Sequence, residues 1–322
     1  MWSHLSQNPD PDDPSCSDAL RRVMARLGDY AALLIEPLKA LPIGAALVTA
    51  TNQRIEVRIA TQTSNILLVI APESDLAHEV FVLRAMAHKA LPAPRLIAHD
   101  LSCTTVPFTY AILSSLGGVT LDRVPDAALL RVAARQAGRT LRRVHQIEAP
   151  GYGAPTPSGR WPVRTWPEAL AAWLESRGVA DRAEEALGAE VATALRAATL
   201  DHPACACPQP RVLHGAPDPA HILVTSGESV YLEALIRPEP PVGGDPMFDL
   251  AHGLASRWPS AFRQGILEGY EMAGALTAAQ HERINRLRLL CDVADALASA
   301  DPPVLAGLAG AVMARLRALE DS

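Results

Sequence analysis

Between Val212 and Ala251 the chain reads VLHGAPDPAHILV, a turn, VYLEALI and then RPEPPVGGDPMFDLA, which brings several titratable residues close together in sequence. His221 stands three residues after Asp218, and Glu233 follows on the next apolar run. A histidine beside a carboxylate is an acid-base pair, because imidazole titrates near neutrality and the acid fixes its tautomer. His221 with Asp218 or Glu233 is therefore a candidate for metal-free proton transfer, as in cyclisation, elimination, isomerisation or hydrolysis. Arg237 and His221 offer a second chemistry, direct binding of a carboxylate or phosphate. No Ser or Cys lies between His214 and His221 to act as a covalent nucleophile. His214, Asp245 and Asp249 carry a structural reading instead: a His-Gly turn and a Gly-Asp-Pro corner use such side chains to brace backbone. Arg237 has one too, an ion pair with Asp218 or Glu239.

The 322 residues are 49% hydrophobic and 20% charged, which suits a globular chain long enough for two lobes. A formal charge of -6 argues against a nucleic-acid binder, whose affinity rests on clustered Lys and Arg. Five cysteines and no apolar leader point to a reducing cytoplasm without disulfides. His202, Cys205 and Cys207 in HPACACPQP form only a lone C-x-C, which lacks the second pair of a zinc site. That segment reads as a loop, and no metal is expected. No apolar run approaches the ~20 residues of a membrane span.

The elements that must position these residues follow in order. Residues 1–18 read as a frayed, proline-rich tail, and DALRRVMARLGDYAALLIEPL as one helix. GAALVTAT, RIEVRIAT and NILLVIAP are three short β runs with turns between them. A helix over SDLAHEVFVLRAMAHKAL, capped by Ser74 or Asp75, precedes two further strands, APRLIAHDL and PFTYAILSSL. Beyond them DAALLRVAARQAGRTLRRVHQI and TWPEALAAWLESR read as helices, and the tail from Trp258 is helical again. Trp161, Trp166 and Trp173 read as a pocket lining or, more simply, as anchors of helix packing.

His214-Gly215, Ile222-Leu223-Val224, Gly244-Asp245-Pro246 and Phe248-Asp249-Leu250-Ala251 together resemble the motifs of the aminoglycoside phosphotransferase and choline-kinase-like family. That family's loop reads H-G-D-x-x-x-x-N, its next strand ends I-D, and G-D-P-x-x-D-L-A follows; Pro238-Glu239-Pro240 is similar to the streptomycin-type members. The resemblance extends from about Gly44 to Ser299. It implies an α+β, bilobal, protein-kinase-like fold: a small antiparallel five-stranded N-lobe with one helix over 19–114, and a mostly helical C-lobe over 115–322.

The same resemblance assigns roles, and the chain departs from most of them. Kinases place a phosphate-holding Lys on the third strand, paired to a Glu on the next helix. Glu79 matches the Glu, while the strand position falls on Val69, or on Leu68 if the register slips by one. The loop carboxylate is Ala216, the metal-binding Asn is His221 and the metal-binding strand Asp is Arg237. A guanidinium cannot ligate Mg²⁺, so ATP and Mg²⁺ are not expected as cofactors. The expected function is binding or transformation of a small, anionic metabolite without phosphoryl transfer, in bacterial secondary metabolism or resistance. The alternatives are a non-catalytic pseudokinase that binds a protein partner and an atypical small-molecule kinase. The ligand is expected in the cleft between the lobes or within the C-lobe, with no nucleic-acid or membrane partner.

Overall fold

The computed structural model describes residues 2–7, 9, 13, 15–225, 227, 229–299 and 302–320; Met1, Asn8, Asp10, Pro11, Asp12 and Pro14 of the expected tail lie outside these. The chain divides into two compact units. The first comprises Met1–Ala87, Ala93–Gly117 and Thr156–Arg160, the second His88–Pro92, Gly118–Pro155 and Trp161–Ser322.

The amino-terminal segment is not a frayed tail where it is described. A 3-10 turn over Ser3–Leu5 sets Leu5, 1% exposed, into the core of the first unit. The single helix expected next is two, α1 (Asp18–Ala25), capped by the Ser17 hydroxyl, and α2 (Leu27–Ile35). At the break around Arg26 the Gly28 amide, in the first turn of α2, donates to the Ser6 side chain at 3.0 Å.

Five strands follow, β1 (Pro42–Ala50), β2 (Ile55–Thr61), β3 (Asn65–Ala71), then helix α3 (Ala77–His88), β4 (Leu96–Asp100) and β5 (Thr109–Ser114). They form one antiparallel sheet in the order β1-β2-β3-β5-β4. Strand residues alternate between its faces. Ile55, Val57, Ile59, Leu68 and Ile70 join the cluster built with α1 and α2, whereas Val69, Ala71, Ala111 and Leu113 pack with Leu83 of α3. Of the two candidate caps of α3, Asp75 does the work, accepting the Ala77 amide at 2.8 Å.

The second unit is mostly helical. Its elements are β6 (Val119–Thr120), α4 (Ala127–Val144), α5 (Trp166–Ser176), α6 (Ala180–Leu187), α7 (Ala189–Ala198), β7 (Arg211–Val212), β8 (Ile222–Thr225), β9 (Tyr231–Leu235), β10 (Gly243–Gly244), α8 (Pro246–Gly253), α9 (Ser260–Glu271), α10 (Ala278–Ser299) and α11 (Pro302–Glu320). β6-β8-β9 and β10-β7 make two small sheets. Helices α4 and α9 pack so closely that a Cβ at Gly269 would overlap the Arg135 carbonyl. This contact sets the end of α4 against Tyr270. Trp166 and Trp173 are buried edge-on against Phe248 at 5.7 and 5.1 Å between ring centroids, and so anchor helix packing. No helix among the described residues is long and apolar enough to cross a membrane.

Candidate functional site

The loop from Leu213 to His221 is held by one buried carboxylate. Asp249, in the first turn of α8, is fully buried. Its Oδ2 accepts the His214 amide at 2.7 Å and its Oδ1 the Gly215 amide at 2.8 Å. The His145 ring, at the end of α4, reaches the same Oδ2 through Nε2 at 3.0 Å and Tyr270 through Nδ1 at 2.9 Å. Burial would raise the Asp249 carboxyl, but His145 and the loop amides hold it below the usual carboxylate range.

Glycine at 215 is required by both space and backbone. Its φ is +82°, and a Cβ would overlap the Glu239 carbonyl oxygen. His214 was expected to brace this turn with its side chain. The bracing runs through its main chain instead: its amide serves Asp249, and its carbonyl accepts the Glu239 amide at 2.9 Å. Among the described residues neither ring nitrogen has a hydrogen-bond partner, and burial pushes the imidazole down to about 4, so the ring is neutral at physiological pH. Asp245 caps α8 by accepting the Met247 amide at 3.0 Å, and pairs with Arg283 at 3.0 Å.

The second half of the loop gathers the polar groups. Asp218 starts a 3-10 turn over Pro219–His221 by accepting the Ala220 amide, and its Oδ1 also meets His221 Nδ1 at 2.8 Å. On the far side of the ring, His221 Nε2 lies 3.4 Å from Glu239 Oε1. Glu233 is therefore not the second carboxylate of the pair. It sits at the irregularity in the β8–β9 ladder, and Glu239 takes the place expected for it. Arg237 follows Ile236, whose amide donates to the His221 carbonyl at 2.9 Å, and has a left-handed backbone at φ +52°. Ala216 is buried and places a methyl where the resemblance implies a carboxylate.

Burial alone would push the His221 imidazole down, but hydrogen bonds and charge from Asp218 and Glu239 outweigh it and raise it to about 9. The ring is thus an imidazolium at neutral pH rather than a group that titrates there. A folded pKa above the unfolded value of about 6.5 adds stability below pH 6.5 that is lost as pH rises through 9, on the order of 3 kcal/mol. His214 and His252, both held down to about 4 chiefly by burial, act in a separate window, losing stability as pH falls from 6.5 towards 4. In urea unfolding at pH 6, 7.5 and 9, His221→Gln should remove most of the loss between the first and last. Retention of the full slope in the variant would remove His221 as its source.

The first unit carries a polar cluster of its own. Val69 lies on the α3 face of the sheet and Leu68 on the other, so Val69 is the strand position that faces Glu79. Glu79, in the first turn of α3, is 1% exposed and is held bidentately by Arg54, Nη1 to Oε2 at 2.7 Å and Nη2 to Oε1 at 3.1 Å. Arg54 Nε also donates to Glu56 at 2.7 Å. Glu56 is opposite Val69 across the β2–β3 ladder, hence on the same face. The cation paired with the helix glutamate comes from the turn before β2, and the motif comparison missed it. Its signal was a Glu at position 56 that falls, by alternation, on the same strand face as Arg58 but is buried where Arg58 is exposed.

The described residues contain no group of three His, Cys, Asp or Glu side chains placed to hold a metal ion. His202 instead caps its turn, accepting the Ala204 amide at 3.2 Å, and burial pushes the Cys205 and Cys207 thiols up to about 12.

With this geometry in place, comparison with known proteins is informative. The profile of the Phosphotransferase enzyme family matches residues 47–285, about three quarters of the chain. The chain belongs to the phosphotransferase enzyme family. Solved structures agree in fold. The aminoglycoside phosphotransferase APH(4)-Ia is 17% identical, with a TM-score of 0.60 over 91% of this chain and 98% of that one. The macrolide 2'-phosphotransferase MphH from Brachybacterium faecium is 19% identical, with a TM-score of 0.57 over 89% and 97%. A choline/ethanolamine kinase family protein from Mesorhizobium loti is 16% identical, with a TM-score of 0.56 over 92% and 95%. No curated protein sequence matches the chain. The five-stranded sheet with its α3 insertion and the mostly helical second unit agree with the fold of these structures, and Asp249 lies in the segment whose residues resemble the family's G-D-P-x-x-D-L-A motif.

Proposed function

We propose that this phosphotransferase-family member binds a small anionic metabolite beside its His-Gly loop and acts on it without metal-dependent phosphoryl transfer, in bacterial secondary metabolism or antibiotic resistance. The observation that carries this is the His221 imidazolium held between Asp218 and Glu239. It stands where the family resemblance implies a metal-ligating Asn, and a protonated imidazole has no lone pair for a cation. Arg237 occupies the second ligand position and Ala216 that of the proton-accepting carboxylate. Below pH 9 His221 is a proton donor, and Glu239, half-exposed, is the side of the pair that a ligand reaches. Arg177 and Arg257, whose charges act on Glu239 and Asp218, both also pair with Asp295.

APH(4)-Ia has been captured with ADP and hygromycin B. In this chain the cation on Glu79 comes from the turn before β2 and is shared with a second buried carboxylate, Glu56. The same Arg54–Glu79 pair also supports a second reading, an atypical small-molecule kinase in which Arg54 replaces the missing strand lysine.

Thermal shift with ATP, with and without Mg²⁺, separates the two. A ligand at one hundred times its Kd stabilises the folded state by about 2.7 kcal/mol, which for a chain of this size is a rise of several degrees in Tm, roughly 2–4 °C per kcal/mol. No Mg²⁺-dependent rise is expected with ATP. A clear one would sink the metal-free reading in favour of the kinase.

A further inference from the structure

The second unit holds a cavity of about 460 Å³ that the His221 site does not use. Its volume lies within the range of small-molecule pockets, roughly 300–1,000 Å³. Three guanidiniums from three elements line it: Arg142 of α4, Arg211 of β7 and Arg283 of α10. Asp245 is the one carboxylate among the lining residues, and Arg283 already pairs with it at 3.0 Å while donating to the Ala204 carbonyl at 2.6 Å. Arg142 lies over the Tyr270 ring, 4.7 Å from its centroid, and among the described residues pairs with no carboxylate. Arg211 has a loose contact, 3.4 Å, with the exposed Glu148. The concavity therefore presents more cation than its own acids neutralise, in the forked form that matches planar and tetrahedral oxyanions.

The wall of this cavity is also the support of the His-Gly loop. His145 lines it, and its ring joins Tyr270, another lining residue, to Asp249, which in turn holds the His214 and Gly215 amides. An anion drawn to Arg142 would settle against Tyr270, three hydrogen bonds from the loop. We propose that this cavity binds a small metabolite bearing an oxyanion, a phosphate ester or a carboxylate, and that its occupancy tightens the His-Gly loop through Tyr270, His145 and Asp249. Site and loop are then coupled through packed, hydrogen-bonded groups whose equilibrium the ligand biases.

The test titrates the full chain with inorganic phosphate and, separately, with succinate, keeping ionic strength constant with NaCl. Tm and hydrogen exchange at the His214 and Gly215 amides are the readouts. At least one probe should raise Tm in a saturable way and slow exchange at both amides. Arg142→Gln with Arg211→Gln should weaken its apparent affinity at least tenfold, and His221→Gln should leave it unchanged; the single arginine variants serve if the double one does not fold. Which probe acts identifies the ligand group. The proposal is overturned if neither probe binds, if the arginine variants titrate like the parent, or if the effect disappears in His221→Gln, which would place the binding at the loop site. Saturable binding without slowed exchange would overturn the coupling.

Discussion

Replacing Arg54 by alanine is expected to destabilise the sheet unit by about 3–5 kcal/mol, the usual effect of removing one partner from a buried ion pair. Glu56 and Glu79 are each 1% exposed, and Arg54 donates three hydrogen bonds of 2.7–3.1 Å to them. Without the guanidinium, two carboxylates on one face of the sheet lose the cation they share. Arg54→Lys should recover only part of the loss, because a single ammonium cannot reproduce the bidentate contact to Glu79 along with the bond to Glu56. Adding Glu79→Gln to Arg54→Ala should recover more than either change predicts alone, since the two act on one network. Urea denaturation of the parent, Arg54→Ala, Arg54→Lys, Glu79→Gln and the double variant measures this. A loss below about 1 kcal/mol in Arg54→Ala would mean that the cluster is solvated and marginal.

The second large effect is expected at Asp249. Asp249→Asn keeps the shape but leaves one acceptor oxygen where two now serve three donors, and turns an NH₂ towards a backbone amide. Each lost bond to a buried charged acceptor is worth roughly 1.5–3 kcal/mol, so a total near 4 kcal/mol and a fall in Tm of about 10 °C are expected. The His214 and Gly215 amides should lose protection from hydrogen exchange in the variant before the rest of the unit. If scanning calorimetry gives a change under 2 °C, the brace is not what holds the loop.

Much of the fold is legible in the residues themselves. Alternating apolar runs separated by TNQ and QTS give the three-strand meander, and the Gly-Asp-Pro corner marks the start of α8. What is not legible is pairing between distant residues. The motif comparison places a vacancy at Val69, and Val69 does face Glu79, yet the cation arrives from Arg54 across the neighbouring strand. Likewise Glu233 lies on the strand that leads to the expected position, but the backbone after β9 turns so that Glu239 reaches His221. At the break between α1 and α2 the Gly28 amide is satisfied by Ser6, twenty-two positions earlier, and periodicity within a window carries no trace of that contact. The His145 role is not legible in its helix, since its partners Asp249 and Tyr270 lie over a hundred residues further on.

That separation bears on how the polypeptide matures. Every strand of the five-stranded sheet, with Arg54 and Glu79, lies before Gly117, so the sheet can close soon after that stretch leaves the ribosome. The His-Gly loop has no such independence. Its amides and the buried His145 ring wait on Asp249 and Tyr270, the last of their partners to be synthesised. A translation pause or truncation between His221 and Asp249 would therefore leave a formed sheet attached to a nascent helical segment with an exposed, unbraced loop, the species on which proteases and chaperones would act first.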